Sequence, residues 1–73
     1  MLLSEVRAGH RCLIRALRGS EMLCARLREL GIVEGQDLFV ISCGLFGGVV
    51  FVDVSGTQVA LRREEAQLVE VTQ

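Results

Sequence analysis

Proline is absent from the 73 residues, and so is lysine: all eight basic side chains are arginine. Without proline the chain holds no polyproline ligand and no stiff linker. No apolar run approaches the ~20 residues that span a bilayer, and no cationic signal region opens the chain. Eight basic residues against nine acidic ones leave a net charge of −1. That balance supplies no field to attract nucleic acid. Cysteine is scarce and odd in number, at Cys12, Cys24 and Cys43. With no C-x-x-C among them, they make a poor disulfide framework and a poor zinc knuckle. Free thiols of this kind suit a reducing cytoplasm, where buried cysteine serves as a small hydrophobe.

What is present is apolar side chain in quantity, 51% of residues against 23% charged. This excludes intrinsic disorder and points to one small folded domain over residues 1–73. Leu2–Val6 is an apolar lead that covers one end of a core. His10–Leu17 alternates, with Cys12, Ile14 and Ala16 on one side and Arg11 and Arg15 on the other, the period of a half-buried strand. Ser20 is a suitable N-cap and Glu21 suits the positive end of a helix dipole. Leu23, Leu27 and Leu30 then draw an apolar stripe, with Met22 beside it, and Gly31 supplies a helix end. The spacing therefore predicts one helix over about residues 20–30, too short to stand without packing on something.

Strands and turns follow. Leu38–Cys43 and Val49–Val54 are rich in β-formers, separated by the glycine-rich reversal Gly44-Leu45-Phe46-Gly47-Gly48. Ser55-Gly56 is a tight turn into Thr57–Leu61. Arg62–Ala66 reads as a helical turn and Leu68–Val71 as a last strand. A mainly β fold follows, about five antiparallel strands with one helix after the first strand. So small a sheet must curl to hide its edges, which predicts a small SH3-like barrel.

Little here carries covalent chemistry. His10 is the sole histidine, so a Ser or Cys nucleophile has one imidazole to draw on. His10 and Cys12 lie two apart and are expected to share a strand face. They are the weak metal candidates, with Cys24 and Cys43 expected in the core. Asp53 is expected to face solvent rather than act as an acid with a raised pKa. The glycine-rich reversal runs into a strand and carries no basic residue, so it is not a phosphate loop. No enzyme site, metal site or cofactor is expected. Leu45 and Phe46 stand out, because a hairpin tip normally carries polar residues. Two bulky apolar residues there invite association, either with a partner or in a homodimer. Arg26 and Arg28 on the helix, and Arg62 and Arg63 after the hairpin, are expected to ring such a contact.

The order of motifs resembles the FeoA family of ferrous iron transport proteins. Arg26-Leu27-Arg28-Glu29-Leu30-Gly31-Ile32 runs on to Glu34-Gly35, and Val52-Asp53-Val54-Ser55-Gly56 forms the hairpin. Val59-Ala60-Leu61-Arg62-Arg63-Glu64-Glu65-Ala66 and Val69-x-Val71 complete the pattern over about residues 2–72. Glu34 stands where the family often has proline. The resemblance implies an SH3-like barrel, cytoplasmic and non-enzymatic, accessory to a bacterial ferrous iron uptake system. Its implied partner is FeoB, a membrane transporter with a cytoplasmic GTP-binding domain. The same barrel occurs as the C-terminal domain of metal-dependent repressors, which gives the alternative of an iron or zinc sensor or chaperone. The chain has no helix-turn-helix, so DNA binding is not expected.

Overall fold

A computed structural model describes residues 1–44 and 48–73; the tip residues Leu45 and Phe46 lie outside these. The chain runs through a 3-10 turn at Leu3–Glu5 and a strand β1 at Arg11–Leu17, followed by the helix α1 at Glu21–Glu29. Strands β2 (Asp37–Cys43), β3 (Val49–Val54) and β4 (Thr57–Arg62) come next. The one-turn helix α2 (Arg63–Ala66) leads into β5 (Val69–Thr72). The expected order and types of element are all present, with ends displaced by a residue.

All strand pairs are antiparallel, in the order β4-β3-β2-β1-β5. One core gathers side chains from every strand. Cys12 and Ile14 come from β1, Leu38 and Val40 from β2, and Val50, Val52 and Val54 from β3. Val59 and Leu61 of β4 and Val69 and Val71 of β5 complete the sheet's share. The period of two that puts them inside puts their neighbours outside. Register shifts at Ile14/Ala16 and Val40/Ser42 bend the sheet around this core. Leu3 and Val6 fill one end of it, as the apolar lead predicts, and Leu27 and Ile32 another.

The helix differs from its expected stripe. Ser20 caps it, its Oγ accepting from the Leu23 amide at 3.2 Å, and Gly31 leaves it with φ 100°. The buried pair, however, is Cys24 and Leu27, while Leu23 and Leu30 are each more than a third exposed. A nine-residue helix crossing the end of a small barrel touches it over little more than one turn. Only the central i, i+3 pair reaches the core. Cys43 is a second correction: it ends β2 and is exposed rather than buried.

Candidate protein-docking surface

The two helices meet through one carboxylate. Glu65 Oε1 accepts the Arg62 backbone N–H at 2.9 Å, closing the start of α2. Its Oε2 stands 3.9 Å from Arg26 Nε on α1. Glu65 thus places Arg26 beside the start of α2, where Arg62 and Arg63 follow one another in the chain, and all three are exposed. Arg63 also borders a small recess with Ser4, Cys43, Gly44, Gly48 and Val50, so it stands at the foot of the segment that carries Leu45 and Phe46. That foot is tight. The Gly44 N–H donates to Val49 O at 2.8 Å, and a Cβ on Gly44 would lie 2.9 Å from Val49 N. Glycine at 44 is therefore a steric requirement of the reversal.

Arg28 points elsewhere. Its guanidinium donates to both carboxylate oxygens of Glu34, with Nη2 to Oε2 at 2.9 Å and Nε to Oε1 at 3.3 Å. That hydrogen bond holds the Glu34 carboxyl below the usual carboxylate range and raises the Arg28 pKa further. The pair ties the end of α1 to the loop before β2. Exposed arginine and carboxylate of this kind add little to stability. Of the expected contact residues, Arg26, Arg62 and Arg63 are thus brought together, whereas Arg28 is separately engaged.

The metal candidates are kept apart. His10 is exposed in the turn before β1, whereas Cys12 faces the core, so the two do not share a strand face. Burial, assisted by the charge of Asp37, pushes the Cys12 thiol up from its ordinary pKa. Among the described residues, no three His, Cys, Asp or Glu side chains converge as ligands. Asp53 has a structural task, its Oδ1 accepting the Gly56 N–H at 3.0 Å in the β3–β4 turn.

Several surface features go beyond the sequence reading, which places Met22 beside the apolar stripe and names neither Phe39 nor Phe51. Met22 on α1 is 81% exposed and Phe51 on β3 is 46% exposed. Phe39 carries the Arg11 guanidinium 5.7 Å from its ring centroid. Arg11, Phe39, Asp53 and Gln58 stand opposite one another across β1, β2, β3 and β4, lining an open recess of ≈ 760 Å³. Period-two alternation alone would have found this outer row, since Leu38 and Val40 inside require Phe39 outside.

Comparison with known proteins fixes the family. The FeoA domain family matches residues 1–73. The chain belongs to this family. A fusion of Fe(2+) transport protein A with the Fe(2+) transporter FeoB from Porphyromonas gingivalis is 32% identical over 71 residues. That alignment takes in 97% of this FeoA domain and spans 8% of the fusion protein. Stenotrophomonas maltophilia FeoA, described as a prokaryotic SH3 domain protein and solved in complex with zinc, is 32% identical with a TM-score of 0.85. Coverage there is 99% of this chain and 89% of that one. Chlorobium tepidum FeoA is also 32% identical, with a TM-score of 0.88 and coverage of 97% and 68%. The repressor ScaR with bound Zn2+ matches at 18% identity and a TM-score of 0.87 over 97% of this chain and 35% of that one, a likeness of fold alone. The SH3-like architecture is thereby established, and the family is one associated with ferrous iron transport. No helix among the described residues is long and apolar enough to cross a membrane.

Proposed function

We propose that this FeoA domain is a non-enzymatic, cytoplasmic accessory module of a bacterial ferrous iron uptake system. It acts by docking on a FeoB-type transporter, at the transporter's cytoplasmic GTP-binding domain. The observation that carries this reading is the Porphyromonas gingivalis fusion, in which a relative of this chain and a FeoB transporter share one polypeptide. Fusion holds two domains at high effective concentration, which is useful when they act on each other. Docking then shifts the populations of the transporter's states by binding one better than another.

The contact is assigned to the margin of Arg26, Arg62 and Arg63, with Leu45 and Phe46 beyond the Gly44 foot and Arg28 at the far end of α1. Arginine suits such a surface because its planar fork forms bidentate contacts with carboxylate or phosphate. Titration of the labelled domain with the GTP-binding domain, read by amide NMR shifts, tests the proposal. Shifts clustered at residues 44–48, α1 and α2 support it; their absence overturns it. Replacing Leu45 and Phe46 by Ser should weaken docking with little change in thermal stability. Self-association through the same apolar pair is the competing use of this surface, and sedimentation across a concentration range separates the two.

A metal sensor or chaperone is the second reading, favoured by the zinc complex of the Stenotrophomonas relative. Here it would rest on His10 and Cys12, which face different ways. An anaerobic Fe(II) or Zn(II) titration of the His10→Ala variant decides it: unchanged affinity removes His10 from any site.

A further inference from the structure

β4 closes the sheet on one side, and among the described residues no strand lies beyond it. Ser55 and Gly56 both have positive φ, 52° and 85°, the geometry of a two-residue hairpin turn that matches strand twist. In such a hairpin the pair flanking the turn, Val54 with Thr57, exchanges both backbone bonds, and every second pair repeats this. The register is unbroken over six pairs from Val54–Thr57 to Val49–Arg62. The N–H and C=O groups of Gln58 and Ala60 therefore point away from β3. The Arg62 N–H confirms the phase, since it too points outward and is taken by Glu65. Gln58 and Ala60 are both exposed. Natural sheets blunt such an edge with lysine, proline or a bulge, and Thr57–Leu61 has none of them.

We infer that this edge is a self-association site, where a second copy of the chain adds its own β4 antiparallel about a two-fold axis at Val59. In that register Gln58 lies opposite the second copy's Ala60, and Ala60 opposite its Gln58. All the outward backbone groups of both residues are then bonded. The same register sets Arg62 opposite the second copy's Gly56, the residue whose N–H is bonded to the Asp53 carboxylate at 3.0 Å. Arg62 and Asp53 occupy the same outer face of the sheet, since both alternate with the core residues Leu61, Val52 and Val54. Each copy therefore presents its cation to the other's anion, a self-complementary arrangement that a two-fold repeats. Gln58 and Ala60 lie outside the transporter-docking margin, so the backbone pairing stands apart from that reading; Arg62 belongs to both surfaces, and only its contact with Asp53 competes with docking.

One short strand edge buries much less than the ~1,200–2,000 Å² of stable complexes. A weak dimer is the expected result, with a Kd on the order of 1 mM. Sedimentation equilibrium of the wild-type domain should show mass rising with concentration. Amide exchange at Gln58 and Ala60 should slow in parallel. Ala60→Pro removes an outward N–H and leaves the bonds to β3 intact, so it should weaken association about tenfold or more. Gln58→Lys, which places a charge beside the axis, should do the same and decides the matter if the proline variant does not fold. Arg62→Glu should weaken association and abolish its salt dependence. A wild-type domain that stays monomeric at concentrations above about 1 mM overturns the inference. Association that survives both Ala60→Pro and Gln58→Lys also overturns it, as does protection of the Gln58 and Ala60 amides only on adding the transporter domain.

Discussion

The two margins of the sheet are built on opposite plans. Along β5 the chain's first residues run as a cover: Val71 N–H donates to Met1 O at 2.8 Å and Leu2 bridges Glu70. That cover is anchored, because Leu3 and Val6, which follow at once, are fully or almost fully buried. Along β4 nothing comparable is found among the described residues. The chain turns away at Arg62, and Glu65 satisfies only the last outward amide. Satisfying the outward groups of β5 takes a short segment held by two core side chains. The cover is thus stable because it is tied to the core, whereas β4 keeps its bonding groups for whatever reaches it.

The largest test of this contrast breaks the anchor. Leu3→Ala removes a fully buried side chain and should cost about 2–5 kcal/mol in a denaturant titration. Because the cover depends on Leu3, the Val71 amide should lose exchange protection before the amides of β3. If Val71 stays protected while global stability falls, the cover is held by its backbone bonds and not by the core.

A smaller effect is expected at the other margin, where the turn sets the phase of the outward groups. Gly56 adopts φ 85°, and a Cβ there would meet nothing within 4 Å. Gly56→Ala therefore isolates the backbone cost of a left-handed residue, about 1–2 kcal/mol. The β3–β4 register should survive, since Val52, Val54, Val59 and Leu61 stay buried only in the present one. Gln58→Lys, further along the same strand, should change stability by no more than about 0.5 kcal/mol. An exposed edge residue has little to lose, and a larger change would show that the β4 edge is covered.

Where local pattern and packing agree, the sequence is a reliable guide. Val49–Val54 reads as a strand and is one, because alternating valines fit a half-buried pleated surface. Ser55-Gly56 reads as a turn because few residues other than glycine tolerate its backbone. The helix stripe is less legible: periodicity marks Leu23, Leu27 and Leu30 alike, but the barrel end is too narrow to cover all three. Contacts distant in sequence leave no local trace. Glu65 joins α1 to α2 through Arg26, and the cover over β5 pairs Met1 with Val71; neither partner carries a mark of the other. The candidate contact arginines could be named by exposure and chemistry, yet only the fold shows that Arg26, Arg62 and Arg63 share a margin while Arg28 is engaged with Glu34.

The smallest expected effect concerns the ion pair beside the covered edge. Arg18 on the segment after β1 donates to Glu70 of β5, with Nε to Oε1 at 3.2 Å. This hydrogen bond, with the charge of Arg18, holds the Glu70 carboxyl below the usual carboxylate range. A carboxyl with a lowered pKa in the folded state binds fewer protons there than in the unfolded chain, so stability rises with pH across that interval. The contribution is complete above the unfolded value and is lost as pH falls through the lowered folded one. Both side chains are open to solvent, at 61% and 36%, so the effect is small and should shrink further in salt. Melting temperature followed from neutral to acid pH should fall slightly more for wild type than for Glu70→Gln. The difference should vanish once the folded carboxyl is protonated. Equal slopes for the two proteins would mean that the covered margin owes nothing to this charge. Leu3, Val6 and the backbone bonds of Met1 and Leu2 would then be sufficient to hold it.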